Sequence, residues 1–332
     1  MTLRDVAEKA GVSRATASLV LRGTGRVSDA TRERVEKAMS DLGYVYDRVA
    51  ASLRTQRGQF VGVVITNIGN PFFSELFKGL EAGLLRAGYV PLLASTSDDV
   101  EQQDAVLTGF HEHQVAGLAL VPATGSDQAL VDRLTAWGIG HVLLTRYLGD
   151  ARLTYVGADD VLGGRLAGEH LVRHGARKFA YVGGFPQMLS RRDRLTGLRQ
   201  AVEEAGLDPD DVIDLPGRVS GAGGLELGRD LLDRGELPDA VLCHSDSVAL
   251  GLFRAMHDKG RTDVRVIGYD GIADAALWEP PLTSVAVHPG RLGERAAEML
   301  LSRMAGPKAA PDVELAEPEL VIRRSCGCGS EG

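Results

Sequence analysis

Arg14, Ala15 and Ser18 fall at the exposed start and outer side of a short helical pattern whose inward positions are Ala17, Val20 and Leu21. One basic and two small side chains at the open beginning of a helix suit reading base edges in a DNA groove. Cys326 and Cys328, one glycine apart, suggest a second chemistry, because thiolates bind soft metals. Two thiols with no histidine nearby in the sequence make only half of a tetrahedral site, so no metal is expected. With Cys243 they are also too few for a disulfide framework. Catalytic signals are missing. No Gly-x-Gly-x-x-Gly follows the first apolar strand, and Gly221, Gly223 and Gly224 do not sit in a strand–turn–helix of that form. No phosphate-binding Gly-Lys-Ser/Thr loop occurs, and Asp159, Asp246 and Asp270 lack an associated nucleophile. An enzyme is therefore disfavoured and no cofactor is expected.

The Arg14 helix needs a partner to hold it. Leu3, Val6, Ala7 and Ala10 recur at helical spacing before the break at Gly11-Val12-Ser13. Gly11 suits a left-handed turn, and Ser13 can cap the next helix. A third helix is expected with Ser28 as its cap and Asp29 at its positive end. Its buried stripe is Val35, Ala38, Met39 and Leu42, and Gly43 stops it. The first three helices thus form a helix-turn-helix unit.

Beyond Gly58 the pattern changes to alternating strands and helices. Strands are expected at 60–66, 89–94, 117–121 and 141–145, with helices at 73–87, 100–113 and 128–137 between them. A second set begins after Asp159, with strands at 179–182, 240–243, 264–268 and 283–287. Such alternation predicts two open parallel sheets with ligands near the carboxyl ends of their strands.

Charge separates the same two regions. The chain of 332 residues carries a net −8, yet residues 1–58 hold 11 basic and 7 acidic side chains, a surplus of +4. The remainder is −12, so only the head attracts phosphates. No apolar run approaches the roughly 20 residues of a membrane span, and the N-terminus lacks the apolar stretch of a secretory signal. A cytoplasmic protein with no membrane partner is expected.

Residues 2–13, with Thr16, Ser18, Val27-Ser28, Thr31-Arg32, Val35, Ala38 and Leu42-Gly43-Tyr44, resemble the opening of the lactose-repressor-like (LacI/GalR) regulators. The segment Arg48-Val49-Ala50-Ala51-Ser52-Leu53-Arg54 is similar to that family's hinge helix. In the core, Asn70-Pro71-Phe72-Phe73, Gly88-Tyr89, Ala116-Gly117, Ser245-Asp246, Gly268-Tyr269-Asp270 and Pro280-Pro281-Leu282-Thr283 resemble its sensor domain, which is in turn similar to periplasmic sugar-binding proteins. The likeness runs over essentially the whole chain.

It implies an α + α/β protein: a helix-turn-helix headpiece at 1–46, a hinge helix and linker at 47–59, and a core at 60–325. That core is periplasmic-binding-protein-like, with two doubly wound parallel-sheet lobes, and 326–332 form a tail. It implies DNA contacts from Thr2, Arg4, Ser13, Arg14, Ala15, Thr16, Ser18, Leu19, Arg22, Ser28, Leu53 and Arg54. Leu53 falls on the family's minor-groove wedge, an apolar side chain that unstacks a base step and bends the duplex. On residue type alone Leu53 fits the core of an ordinary amphipathic helix better than an exposed wedge. Leu19 and Arg22 depart from the family's usual residues, which leaves the operator sequence open.

The resemblance also implies a ligand cleft containing Phe72, Phe73, Ser190, Arg194, Asp246 and Asp270. Aromatic faces and a few charged groups suit a sugar. By residue type, Phe72 and Phe73 also fit a hydrophobic core, Arg194 a solvated helix face, and Asp246 a helix N-cap. Thr145-Arg146 stands where many relatives have Asp-Arg, and Val287-His288 replaces a frequent Gln-Pro. The function implied is a ligand-responsive repressor that binds a palindromic operator as a homodimer, with no leucine heptad at the C-terminus for tetramers. A solute-binding protein of a transporter is the rival, disfavoured by the headpiece.

Overall fold

The protein was analysed as a computed structural model, which describes residues 1–22, 25–44, 58–149, 154–234, 237–306 and 312–328. Contacts divide the chain into Met1–Arg57 and Gly58–Gly332.

In the first unit α1 is Leu3–Lys9, α2 is Arg14–Arg22 and α3 is Asp29–Leu42. The Thr2 N–H donates to the Asp5 carboxylate at 2.7 Å, closing the first turn of α1. Gly11 takes φ +65°, a value costly for a side chain with a Cβ, and so turns the chain between α1 and α2. Ser13 Oγ then accepts the Thr16 N–H at 3.0 Å. Ser28 precedes α3, but its hydroxyl meets Thr31 Oγ1 at 2.9 Å and caps no backbone N–H, so the expected side-chain cap is not made. Val6, Ala7, Ala10, Ala17, Val20, Val35 and Ala38 form the shared core. Leu21, expected inside, is half-buried.

The second unit runs β1 (Phe60–Ile65), α4 (Pro71–Arg86), β2 (Val90–Ser95), α5 (Val100–Glu112), β3 (Gly117–Leu120), α6 (Gln128–Ala136), β4 (Gly140–Leu144) and β5 (Tyr155–Ala158). It continues α7 (Asp160–Arg173), β6 (Phe179–Val182), α8 (Leu189–Glu204), β7 (Ile213–Leu215), α9 (Gly221–Leu232), β8 (Ala240–Cys243) and α10 (Asp246–Asp258). It ends β9 (Arg265–Asp270), β10 (Thr283–Ala286), α11 (Pro289–Ala305), β11 (Val313–Ala316) and β12 (Glu319–Val321).

Two six-stranded sheets result, ordered β11-β5-β4-β3-β1-β2 and β12-β10-β9-β8-β6-β7. Every pairing in the first is parallel, and in the second only β12 runs antiparallel. Both faces of the first sheet are covered, which explains its continuous apolar strands. Val63 and Ile65 of β1 face one core cluster, while Val64 between them faces another with Leu107, Leu118 and Leu134. Helices α4 and α11, α7 and α8, and α9 and α10 cross at glycines. At Gly79, Gly164 and Gly224 the partner helix's backbone leaves no room for a methyl group.

The chain passes between lobes three times: from β5 to α7, from β10 to α11, and from β11 to β12. His288, at the second passage, holds a left-handed φ of +50°. Strands β5, β7, β11 and β12 were not expected from the sequence. The tail expected from 326 onward is also corrected in part: Cys326 is fully buried in the main core cluster.

Candidate functional site: a cleft between two lobes and an exposed helix start

The loops after the strands meet in a cleft of about 630 Å³. This is the size of an ordinary small-molecule site. The first lobe contributes its wall from Thr66 to Phe73. Asn70 precedes α4 and its Oδ1 accepts the Phe72 N–H at 3.1 Å, which fixes the helix start and aims both phenylalanines. The rings of Phe72 and Phe73 lie edge to face, with centroids 5.2 Å apart. They are at once lining residues and core residues.

After β2 and β3 come Asp98 and Thr124. The Asp98 carboxylate accepts from Arg146 at 2.5 Å and from the Thr124 hydroxyl at 2.8 Å. Arg146 follows Thr145 at the end of β4, so a charged pair stands where the sequence suggested a missing acceptor. Ser97, Asp98, Thr145 and Asp270 all take φ between 53° and 113°. All four line the cleft. Backbone strain of this kind persists where surrounding structure over-determines it, commonly at ligand sites.

The second lobe supplies Phe185, Met188, Ser190, Arg194, Arg218 and His244 among others. Arg194 is no solvated helix residue. Its Nε donates to Asp160 at 2.8 Å, an Nη donates to the His244 carbonyl at 2.6 Å, and its guanidinium lies 3.6 Å from the Tyr269 ring centre. Burial opposes the Arg194 charge, but Asp160 and the surrounding phenols and carboxyls hold its pKa above the usual arginine value. Burial, then Arg194, Arg146 and Arg191, push the His244 pKa well down, which favours the neutral imidazole. Its Nδ1 lies 2.8 Å from the Tyr181 hydroxyl.

Asp270 ends β9 with only 5% of its surface exposed. Its Oδ2 has no hydrogen-bond partner among the described residues. Burial and the neighbouring Asp246 raise its pKa well above the carboxylate range. Buried polar atoms are nearly always paired, so an unpaired one in a residue that lines the cleft marks a functional position.

Asp246 corrects an expectation. It does not line the cleft; its side chain is fully buried and bonds Ser284 Oγ at 2.6 Å and the Ile272 N–H at 2.9 Å. Nor is it the N-cap of α10, since Ser245 takes that position and Asp246 is the first helical residue. Asp98, Arg146, Arg218 and His244 are among the lining residues that the expected site lacked.

In the first unit, Thr2, Arg4, Ser13, Arg14 and Ala15 are exposed, and Thr16, Ser18 and Leu19 half-buried. Arg4 and Arg14 have no ion-pair partner among the described residues. Arg14 opens α2 and Arg22 is its last residue. Leu19 packs towards the turn at Gly25, where an added methyl would lie 3.2 Å from it. Ser28 is exposed but engaged with Thr31. Leu53, Arg54 and the rest of the hinge segment lie outside the described residues. A separate cluster gathers Cys326 and Cys328 against His170 and His174 of α7, contrary to the expectation that the thiols lack imidazoles.

A family model described as "Bacterial regulatory proteins, lacI family" matches residues 2–47, and one for a "Periplasmic binding protein-like domain" matches 169–326. The HTH-type transcriptional regulator CelR of Thermobifida fusca is 33% identical over 98% of both chains. The HTH-type transcriptional repressor PurR of Photobacterium profundum is 32% identical, again over 98% of both. Among solved structures, a CelR–cellobiose complex is 32% identical with a TM-score of 0.75, covering 98% of this chain and 99% of that one. A lac repressor dimer bound to operator and the anti-inducer ONPF is 27% identical with a TM-score of 0.87 over the same shares.

Proposed function

The chain belongs to the lacI family of bacterial regulatory proteins and is a DNA-binding transcription regulator; from that premise we propose that it is a cytoplasmic repressor whose effector is a carbohydrate. The observation that carries the effector class is a cleft lined by Phe72, Phe73 and Asp270, whose buried Oδ2 has no hydrogen-bond partner among the described residues. A sugar offers what this arrangement lacks: hydroxyls for the carboxyl and an apolar ring face for the phenylalanines. The cellobiose held by the CelR structure, and the ribose held by a family regulator from Enterococcus faecium (28% identical, TM-score 0.72, covering 80% of this chain and 98% of that one), support the same class.

Binding, without a reaction, is the role of the cleft. Of the two carboxyls among the described lining residues, Asp98 is engaged by Arg146, which leaves Asp270 without a second free carboxylate to pair with. The DNA reader is the 1–46 headpiece, with Arg14 and Ala15 at the exposed start of α2 and the basic surplus around them. The 47–59 segment is the hinge, with Leu53 as wedge and Arg54 beside it; 60–325 senses the effector. Two copies bind one palindromic operator.

Ligand acts by favouring one arrangement of the two lobes, which the three chain passages join. A thermal-shift screen of mono- and disaccharides, with purine bases as the comparison panel, tests the effector class on the full chain. A sugar that raises the unfolding temperature in wild type and fails in Asp270→Asn supports the reading. A response to purines alone would refute it.

A further inference from the structure

We propose that Cys326, Cys328, His170 and His174 form a tetrahedral site for Zn²⁺ that ties the C-terminal segment to α7. The donors come from the middle of the core sequence and from its C-terminal end, and converge in space. Cys326 Sγ and Cys328 Sγ are 3.1 Å apart, and Cys328 Sγ is 3.3 Å from His170 Nε2 and 3.4 Å from His174 Nε2. One ligand atom from each of His170, Cys326 and Cys328 lies within 4.8 Å of the other two. In a tetrahedron with Zn–S near 2.3 Å and Zn–N near 2.05 Å, the edges are ~3.8 Å for S···S and ~3.6 Å for S···N. To admit the ion the S···S edge therefore opens by about 0.7 Å and the two S···N edges by about 0.2–0.3 Å, while His174, outside the set of three mutually close donors, moves inward.

Each donor is placed by local structure. His170 and His174 are four residues apart at the end of α7, on one helix face, with ring centres 4.5 Å apart. Gly327 takes φ +76°, and this left-handed glycine lets the chain turn between the two thiols. The thiol segment is itself anchored. Ser325 Oγ accepts the Thr283 N–H at 2.8 Å and donates to the Val266 carbonyl at 2.7 Å. The Thr283 hydroxyl donates to Cys326 Sγ at 3.1 Å, the kind of supporting bond that orients a metal-bound thiolate. Cys326 and His170 are buried, Cys328 is half-buried and His174 is exposed. Three donors are thus fixed and the fourth is free to swing onto an entering ion.

Two sulfurs and two imidazole nitrogens in this form select Zn²⁺ over hard cations. The site lies at the opposite end of α7 from Asp160, the partner of Arg194, so one helix serves both the clamp and the effector cleft. The inference stands independently of the effector assignment.

The test uses the full chain, reduced and stripped with a chelator, then titrated with Co²⁺ followed by Zn²⁺. One Co²⁺ per chain is expected, with the strong visible bands of a tetrahedral thiolate complex, bleached by Zn²⁺, and Zn²⁺ should raise the unfolding temperature. Cys328→Ser and His170→Gln should each weaken Zn²⁺ binding by more than about 100-fold, beyond the usual loss from supporting residues. His174→Ala, at an exposed position, should weaken binding and lose the four-coordinate spectrum. His257→Gln, an exposed histidine outside the cluster, should leave binding unchanged. X-ray absorption of Zn²⁺-loaded wild type provides a readout that needs no variant, and should show two sulfur and two nitrogen neighbours. A reduced chain that takes up no stoichiometric metal overturns the proposal, whether or not its thiols later close to a disulfide. So does a ligand shell without sulfur, or affinity that survives Cys328→Ser.

Discussion

Replacing Arg194 by alanine should destabilise the core before it says anything about ligand binding. The guanidinium is engaged on three sides, by Asp160, the His244 carbonyl and the Tyr269 ring. Asp160 is 6% exposed, and burial already pushes its pKa up against the pull of Arg194. Truncation leaves that carboxyl buried without its cation, a change that costs about 3–5 kcal/mol. Against a total stability of roughly 5–15 kcal/mol, this is a large fraction. The expected fall in unfolding temperature is on the order of 10 °C. Urea unfolding of wild type, Arg194→Ala, Asp160→Asn and the double variant measures the coupling directly. The double variant should recover at least half of the loss, because it removes the stranded charge as well as its partner. A loss below about 1 kcal/mol for Arg194→Ala would show that the pair is solvent-screened and would refute the reasoning.

Asp270→Asn is the cleaner probe of the cleft. Its folded-state pKa is raised, by burial and then by Asp246. The native state therefore keeps a proton that the unfolded chain gives up, and wild-type stability is lost as pH rises from the ordinary carboxyl range through the raised value. The asparagine variant should gain on wild type in thermal unfolding as pH rises above the ordinary carboxyl range, and a constant gap would contradict the shift. Arg14→Ala should change preference among operator variants by about 1–3 kcal/mol at one half-site position. An equal loss on every sequence, with a shallower salt dependence, would instead place Arg14 on phosphate. Gly164→Ala forces a methyl onto the Arg194 backbone across the α7–α8 crossing, and should cost about 1–3 kcal/mol by denaturation. An unchanged midpoint would mean that the two helices separate freely.

The headpiece was legible because its signals are local. Val6, Ala7 and Ala10 repeat at helical spacing, Gly11 marks the turn, and Ser13 caps within three residues. The strands buried on both faces, such as β6 and β8, were equally plain as apolar runs. Strands β11 and β12 were not, because each is three or four residues long, half exposed, and paired with a strand distant in sequence. Phe72, Phe73, Ser190, Arg194 and Asp270 line the cleft as well as falling on motifs or their likeness, but Asp98 carries no motif. Its position depends on a left-handed turn and on Arg146, 48 residues away. Asp246 misled because its motif sits beside the cleft while the helix start turns the carboxyl inward to Ser284. The thiol cluster escaped because the spacing of Cys326 and Cys328 says nothing about α7. The pairing of His170 and His174 four residues apart was the available clue, and it lies over 150 residues away.

The central claim is that a ligand in the cleft changes the affinity of the headpiece for DNA, and operator titration with and without that ligand tests it most directly. Affinity should shift by a factor corresponding to roughly 1–3 kcal/mol of coupling, and operator should shift ligand affinity by the same factor. Asp270→Asn should bind operator like wild type and lose the shift. A ligand that binds wild type tightly but leaves operator affinity unchanged would contradict the account.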